Sequence, residues 1–216
     1  SSLLNRVLLW FNSKSRRPIS AHEPLFLEDL KSDLAKIQSE WITYSTGENL
    51  VKPIDDISED QKQLNKSKKW DALVLYAYGH KNKGAIPYFK SIESVIEKYS
   101  SEIQMVMFSI LKPGMHIPAH KGNLNLVLRA QLIIENQQPE LTNLRIVQAN
   151  FKLKTGDSIV FDDTFEHEAW NNSSTNRVTL IIDFKKPFPF IVRHINNYLL
   201  CRFSRADYVS SALRNW

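Results

Sequence analysis

Hydrophobic positions change their period partway along this chain, and the change divides it. Leu27, Leu30, Leu34, Ile37 and Trp41 recur every three or four positions, which predicts an amphipathic helix. Pro87 can open a second helix that turns Phe89, Ile92, Val95, Ile96 and Tyr99 to one side. The apolar run from Trp70 to Tyr78, closed by Gly79, predicts a buried strand, and the polar stretch from Asp55 to Lys69 reads as a solvated loop or linker. From Ile103 onward short extended runs take over: Ile103–Leu111, Leu124–Ile134, Leu144–Ala149, Ser158–Phe161 and Arg177–Phe184, with turn signals at Pro113-Gly114 and Thr155-Gly156-Asp157. Helices first and strands later predict an α+β fold: a double-stranded β-helix, or cupin-like jelly roll, buttressed by N-terminal helices.

Alternation assigns faces on two of these strands. Leu126, Leu128, Ala130 and Leu132 form one apolar face, so Asn125, Val127, Arg129, Gln131 and Ile133 point the other way. In the last strand Val178, Leu180, Ile182 and Phe184 pack inward, while Arg177, Thr179, Ile181 and Asp183 share the opposite face. Two arginines entering one barrel from different strands predict a receptor for a dicarboxylate.

A hydrophobic fraction of 43% and a charged fraction of 24% over 216 residues describe a globular domain, not a disordered chain or a membrane-spanning bundle. Cys201, the only cysteine, allows neither an intrachain disulfide nor a cysteine-based zinc site, so any metal must be held by histidine, carboxylate or water. The net charge of +5 is concentrated at the ends. Lys185, Lys186, Arg193, Arg202, Arg205 and Arg214 face Asp207 alone, Arg6, Lys14, Arg16 and Arg17 face no acid, and the body between is net acidic. That distribution argues against a nucleic-acid face. Leu3, Leu4, Val7, Leu8 and Phe11 follow helical spacing beside Trp10, and Ile191, Ile195, Tyr198 and Leu199 repeat the pattern. Two basic amphipathic tails, 1–20 and 188–216, therefore flank a domain over 21–187, either lying on an anionic membrane surface or packing back onto the domain. Neither tail reaches the roughly 20 apolar residues that span a bilayer. A cytoplasmic, membrane-associated protein is the expectation, and a chain beginning at Ser1 leaves room for an upstream anchor or signal.

Of six histidines, His120 and His167 have telling neighbours. His120-Lys121-Gly122 sits in an extended segment, and His167 closes Ile159-Val160-Phe161-Asp162-Asp163-Thr164-Phe165-Glu166, with Arg177 ten residues on. Gly114 and Pro118 rule out a helix that would set His116 and His120 on one metal, so His116 reads as a loop residue and a rival ligand. His22, His80 and His194 carry no informative context. Asp162 and Asp163 are either supports for the His167 ring or solvated turn residues. Asn65, Asn171 and Asn172 open glycosylation-type triplets of the kind that arise by chance.

Residues 103 to 187 resemble the aspartyl/asparaginyl β-hydroxylase family, whose relatives include bacterial lipid A 2-hydroxylases. The resemblance is carried by Phe108-Ser109-Ile110-Leu111-Lys112-Pro113-Gly114, His120-Lys121-Gly122, Leu128-Arg129, Phe161-Asp162-Asp163-Thr164-Phe165-Glu166-His167-Glu168 and Arg177 through Asp183. It implies a dioxygenase using Fe(II), O2 and 2-oxoglutarate, with His120 and His167 as the iron ligands. Gly122 stands where most such enzymes carry a third, carboxylate ligand, and water would fill that position. Arg177 would take the distal carboxylate of 2-oxoglutarate with help from Ser109, and Arg129 would sit beside the cosubstrate or the substrate carboxylate.

Two departures from the family bear on the substrate. Gln131 replaces a histidine that touches the cosubstrate, and Val127 replaces an arginine that peptide-modifying members use near their acidic target. The sequence thus favours a hydroxylase of a lipid-linked or acyl substrate over one acting on Asp or Asn residues of a peptide. A halide-adding enzyme and a non-catalytic jelly-roll binding module are the further alternatives. Oligomeric state is open.

Overall fold

The computed structural model describes residues 17–21, 23–47, 51–122 and 124–187, together with 198 and 200. Leu3 to Phe11, His22, Ile191, His194, Ile195 and Leu199 lie outside the described residues, so both tails remain as sequence expectations. Helices α1 (Leu25–Ser32) and α2 (Leu34–Thr46) come first, then β1 (Lys52–Pro53), α3 (Ile54–Ile57), β2 (Trp70–Ala77), β3 (His80–Lys81) and α4 (Lys90–Lys98). Eight strands follow: β4 (Ile103–Leu111), β5 (Met115–His120), β6 (Val127–Glu135), β7 (Thr142–Ile146), β8 (Ala149–Phe151), β9 (Ser158–Phe161), β10 (His167–Asn171) and β11 (Arg177–Lys185). The major sheet runs β1-β2-β4-β11-β6-β9 with β3 paired to β2, the minor sheet runs β5-β10-β7-β8, and every strand pair is antiparallel. This is the expected double-stranded β-helix with helices on one side.

The major sheet is covered on both faces. Val178, Leu180, Ile182 and Phe184 of β11 join Ala130, Leu132 and Ile134 of β6 in one core with Phe26, Ile37, Trp41, Ile92 and Ile96 of the helices. Trp41 and Phe89 lie 4.6 and 5.0 Å from the ring of Phe108, and Phe26 meets Phe184 edge-on at 5.1 Å. Burying each such ring stabilises the fold by about 2–3 kcal/mol. The opposite face carries Met107, Leu111 and Ile181 against Met115 and Ile117 of the minor sheet. Residues of even number on β11 thus hold the helices, and those of odd number fill the barrel.

Three sequence expectations change. The helix expected from Leu27 to Trp41 breaks at Asp33, which takes φ −96° and ψ 10°. The strand expected over 144–149 divides at Val147, whose φ of 54° turns the chain into β8. The polar stretch 55–69 is not a free loop: Ile54 and Ile57 are buried, and Asn65, itself buried, donates to Asp55 Oδ1 and the Trp70 carbonyl while accepting the Trp70 N–H. At the far edge of the major sheet, Ile19 bridges Phe161, and Ser20 N–H and Asp162 N–H bond the carbonyls of Val160 and Pro18. Leu200 packs on Leu126 and Val127.

Asn171, fully buried, joins the sheets at one end of the barrel. Its amide donates to the Leu111 and Thr175 carbonyls, and its oxygen accepts from Ser173 N–H and Oγ. Asn65 and Asn171 are therefore closed to glycosylation. Asn171→Ala leaves several buried polar groups without partners, and it should lower unfolding stability by about 2–4 kcal/mol in urea titrations.

Candidate functional site

His120 ends β5 and His167 begins β10, and the two face each other in the ladder. Strict alternation would not bring them together. Met115 and Ile117 point into the barrel and His116 outward, so His120 shares the parity of the outward residues. A register shift between the His167 and Ala169 pairings sets two residues of β5 (118 and 119) against one of β10 (168). That β-bulge turns His120 inward beside His167, with ring centroids 4.2 Å apart. His116, expected in a loop, lies on strand β5 and is exposed. Its Nε2 meets Glu168 Oε1 at 2.6 Å on the outer face, well away from the pair.

Each ring of the pair is fixed in the same way. Nδ1 of His120 lies 2.8 Å from the Pro118 carbonyl, and Nδ1 of His167 lies 3.0 Å from the Phe165 carbonyl. A carbonyl only accepts, so Nδ1 carries the hydrogen in both rings and Nε2 keeps its lone pair. Burial, then the neighbouring His120, lowers the His167 pKa to about 3, and burial lowers that of His120. Both imidazoles stay neutral at physiological pH, as metal ligands must. Among the described residues no group of three or more His, Cys, Asp or Glu side chains forms a complete metal cage.

Gly122 leaves no room for a side chain of its own. A Cβ at this position would lie 2.4–2.6 Å from the carboxylate atoms of Asp163, so that carboxylate fills the space where a side chain at 122 would begin. Gly122 N–H also bonds the Asp163 carbonyl. Gly122→Asp would press two carboxylates together. Asp163 Oδ1 is buried without a hydrogen-bond partner. Burial raises the Asp163 pKa to about 6, against the pull of Arg129.

The aspartates do not support the His167 ring, whose Nδ1 is taken by backbone. Asp162 instead accepts from Thr164 N–H and Oγ1 and pairs with buried Lys186 at 2.8 Å, which also donates to Asn125. This holds the turn that carries Asp163 to His167.

The two arginines have different surroundings. Arg129 pairs in a fork with Asp183, Nε to Oδ1 and Nη2 to Oδ2 both at 2.8 Å, and touches Asp163 at 3.3 Å. Burial alone would lower its pKa, but the two carboxylates outweigh it and hold the guanidinium charged. Arg177 lies six residues from Asp183 on β11, about 20 Å along the strand. It is 3% exposed, its Nη1 donates to the Asn143 carbonyl at 3.3 Å, its Nε has no partner, and burial lowers its pKa to about 10. A buried cation without a counter-ion costs several kcal/mol, which marks a place for an anion. Ser109 stands opposite Thr179, two residues from Arg177, and accepts a 2.9 Å bond from Trp70 Nε1, leaving its own O–H to donate. Gln131 is buried on β6 opposite Ile181.

A cavity of about 660 Å³ opens beside the histidines. His120, His167, Gly122, Asp163, Arg129 and Asp183 line it together with Trp70, Val74, Met105, Met107, Val127 and Ile181. Ile54, Ile57 and Leu64 line it too, with Ser58, Asp60, Gln61 and Gln63 of the stretch that sequence had left to solvent. Asp183, alone in an apolar strand, was the available signal for the Arg129 partner. The role of Trp70 had none.

A family model described as aspartyl/asparaginyl β-hydroxylase matches residues 31–187. An ornithine lipid ester-linked acyl 2-hydroxylase of Rhizobium tropici is 29% identical over 188 residues, 87% of this chain and 66% of that protein. The aspartyl/asparaginyl β-hydroxylase of Mus musculus is 28% identical over 132 residues, 59% of this chain and 18% of that protein. The chain thus spans just under two thirds of the first relative and under a fifth of the second. A cupin domain of an XRE-family transcriptional regulator from Enterobacter cloacae aligns with 56% of this chain and 99% of its own, at 12% identity and TM-score 0.39.

The raised Asp163 pKa has a definite sign. The folded protein holds this proton up to about pH 6 while the unfolded chain releases it near 4, so ionised Asp163 costs stability that grows as pH rises through that window. Asp163→Asn should stabilise the metal-free protein by about 1–2 kcal/mol near pH 8, and the gain should vanish below about pH 4 in urea titrations.

Proposed function

The chain belongs to the aspartyl/asparaginyl β-hydroxylase family, and from that premise we propose that it is an Fe(II)- and 2-oxoglutarate-dependent hydroxylase that acts on a lipid-linked or acyl substrate. The observation that carries the reading is the pair of neutral imidazoles, each tied through Nδ1 to the carbonyl two residues before it and each left with Nε2 unprotonated at a cavity. Those residues fit a divalent metal: His120 and His167 would hold iron, and the carboxylate of Asp163 stands at the position that Gly122 leaves without a side chain. When bound, iron with 2-oxoglutarate and O2 supplies oxidative decarboxylation of the oxo acid coupled to insertion of oxygen into a C–H bond.

The chain's own residues bind, orient and shield. Buried Arg177 would neutralise the distal carboxylate of 2-oxoglutarate, and Ser109, its oxygen occupied by Trp70, would donate its hydroxyl to the same group. Gln131 can donate an amide hydrogen at the site's buried wall. Arg129, already paired, would shape the polar end of the cavity more than it binds a carboxylate. Val127 presents an apolar wall there, which supports an acyl substrate over a peptidyl aspartate, as does the name of the Rhizobium relative. An anionic membrane surface would suit the basic tails, and no helix among the described residues is long and apolar enough to cross a membrane.

Mixing Fe(II) and 2-oxoglutarate without oxygen should give the visible charge-transfer band of a metal-chelated oxo acid, absent in His120→Ala and in His167→Ala. His167→Ala should lose turnover, and Arg177→Gln should weaken 2-oxoglutarate binding by about a hundredfold, the loss of a charge-assisted pair. With oxygen and membrane lipids, the product should gain one oxygen atom by mass. No band, with iron demonstrably unbound, would favour a non-catalytic binding module.

A further inference from the structure

The cavity has a mixed lining. Besides the charged and imidazole groups around His120 and His167, Val74, Met105, Met107 and Ile181 of the major sheet line it, and Ile54, Ile57 and Leu64 of the 54–64 segment do so beside the polar Ser58, Asp60, Gln61 and Gln63. That segment is anchored: Asn65 ties Asp55 to the start of β2, and Lys68 pairs with Asp55. The charge balance is equally specific. Arg129 is held by Asp183 and Asp163 together, so its charge is already met, and the other lysine or arginine lining the cavity, Lys121, is exposed. A substrate carboxylate at this end would meet Asp163 and Asp183, with no buried cation among the described residues left free for it beyond the arginine assigned to the cosubstrate. A neutral, flexible chain meets methionines that adapt to its shape in a space of the size that encloses a small-molecule ligand.

We infer that a fatty acyl chain occupies this cavity, with its reacting carbon near His120 and His167 and its far end stopped by Ile54, Ile57 and Leu64, so that the 54–64 segment sets the chain length the site accepts. This rests on the hydroxylase reading above and adds to it the residues that measure the substrate. Ile54 and Ile57 lie three apart on one short helix, and Leu64 approaches from the other end of the same segment, so substitutions there change the depth of the cavity without touching the histidines or Arg177.

The test uses the full chain and a series of monoacylglycerols, octanoyl to stearoyl, kept below their aggregation thresholds and followed by displacement of a fluorescent dansyl-labelled acyl amide. Affinity should rise about fourfold per methylene until the cavity is full, and then level off. Ile57→Trp should move that plateau to shorter chains, weakening the longest by about tenfold while leaving octanoyl unchanged. Ile57→Ala and Leu64→Ala should move it to longer chains, which keeps the test decisive if the larger side chain disturbs folding. A plateau that stays fixed in all three variants overturns the inference, and so does binding of an aspartate-containing peptide with none of the acyl series. The anaerobic Fe(II)–2-oxoglutarate band, recorded on the same proteins, separates the two readings. A band without acyl binding removes the chain gauge and leaves the hydroxylase, whereas acyl binding with a length plateau and no band removes the hydroxylase and leaves the gauge.

Discussion

Strand β11 is hydrogen-bonded along both edges, to β4 on one side and β6 on the other, and its two-residue period allots the interior of the protein. Val178, Leu180, Ile182 and Phe184 bind the helices, and Arg177, Ile181 and Asp183 enter the barrel. A slip of one residue would exchange the two sets, placing a guanidinium and a carboxylate against Phe26 and Trp41. The helical layer and the candidate site are therefore held in place by the same ladder. The aromatic packing of Phe184 on Phe26 fixes where Asp183 meets Arg129, although neither pair touches the other.

Within the barrel, charge is distributed by whether a protein partner is present. Arg129, partly buried, and Lys186, buried, are cations whose carboxylates, Asp183 with Asp163 and Asp162, lie within reach. Arg177 is a buried cation with a backbone carbonyl as its neighbour. The outcomes are opposite: charge held firmly at Arg129, and pKa pulled down to about 10 at Arg177. The first two stabilise turns and strand ends, while the third carries an unmet cost that only an incoming anion offsets.

The sequence made the architecture legible because hydrophobic period is a local property. The runs 103–111, 158–161 and 177–184 carry their own alternation and return as β4, β9 and β11 within a residue of those bounds. The segment 54–64 misled because its inward residues, Ile54, Ile57 and Leu64, are separated by Asp55, Asp56, Asp60 and Lys62, and only the Asn65 bonds to Trp70 reveal which way it folds. The histidines were legible as a pair through their neighbours, but their geometry was not. Met115 and Ile117 set a parity under which His120 faces solvent, and the bulge that reverses it exists only in the pairing with β10. For Arg129 and Arg177 alternation reported the inward face, but not that Asp183 already holds one of them.

That bulge makes the tolerance of β5 to genetic change a matter of parity. Pro118 and Ala119 are exposed, and replacing either side chain leaves the two-against-one count of the ladder intact. Losing one codon between Ile117 and His120 removes the bulge, and regular pairing then sets the histidine, two residues after Ile117, on the inward side opposite His167. The extra residue is thus dispensable for placing the pair, and a lineage could shed it in frame while both imidazoles stayed face to face.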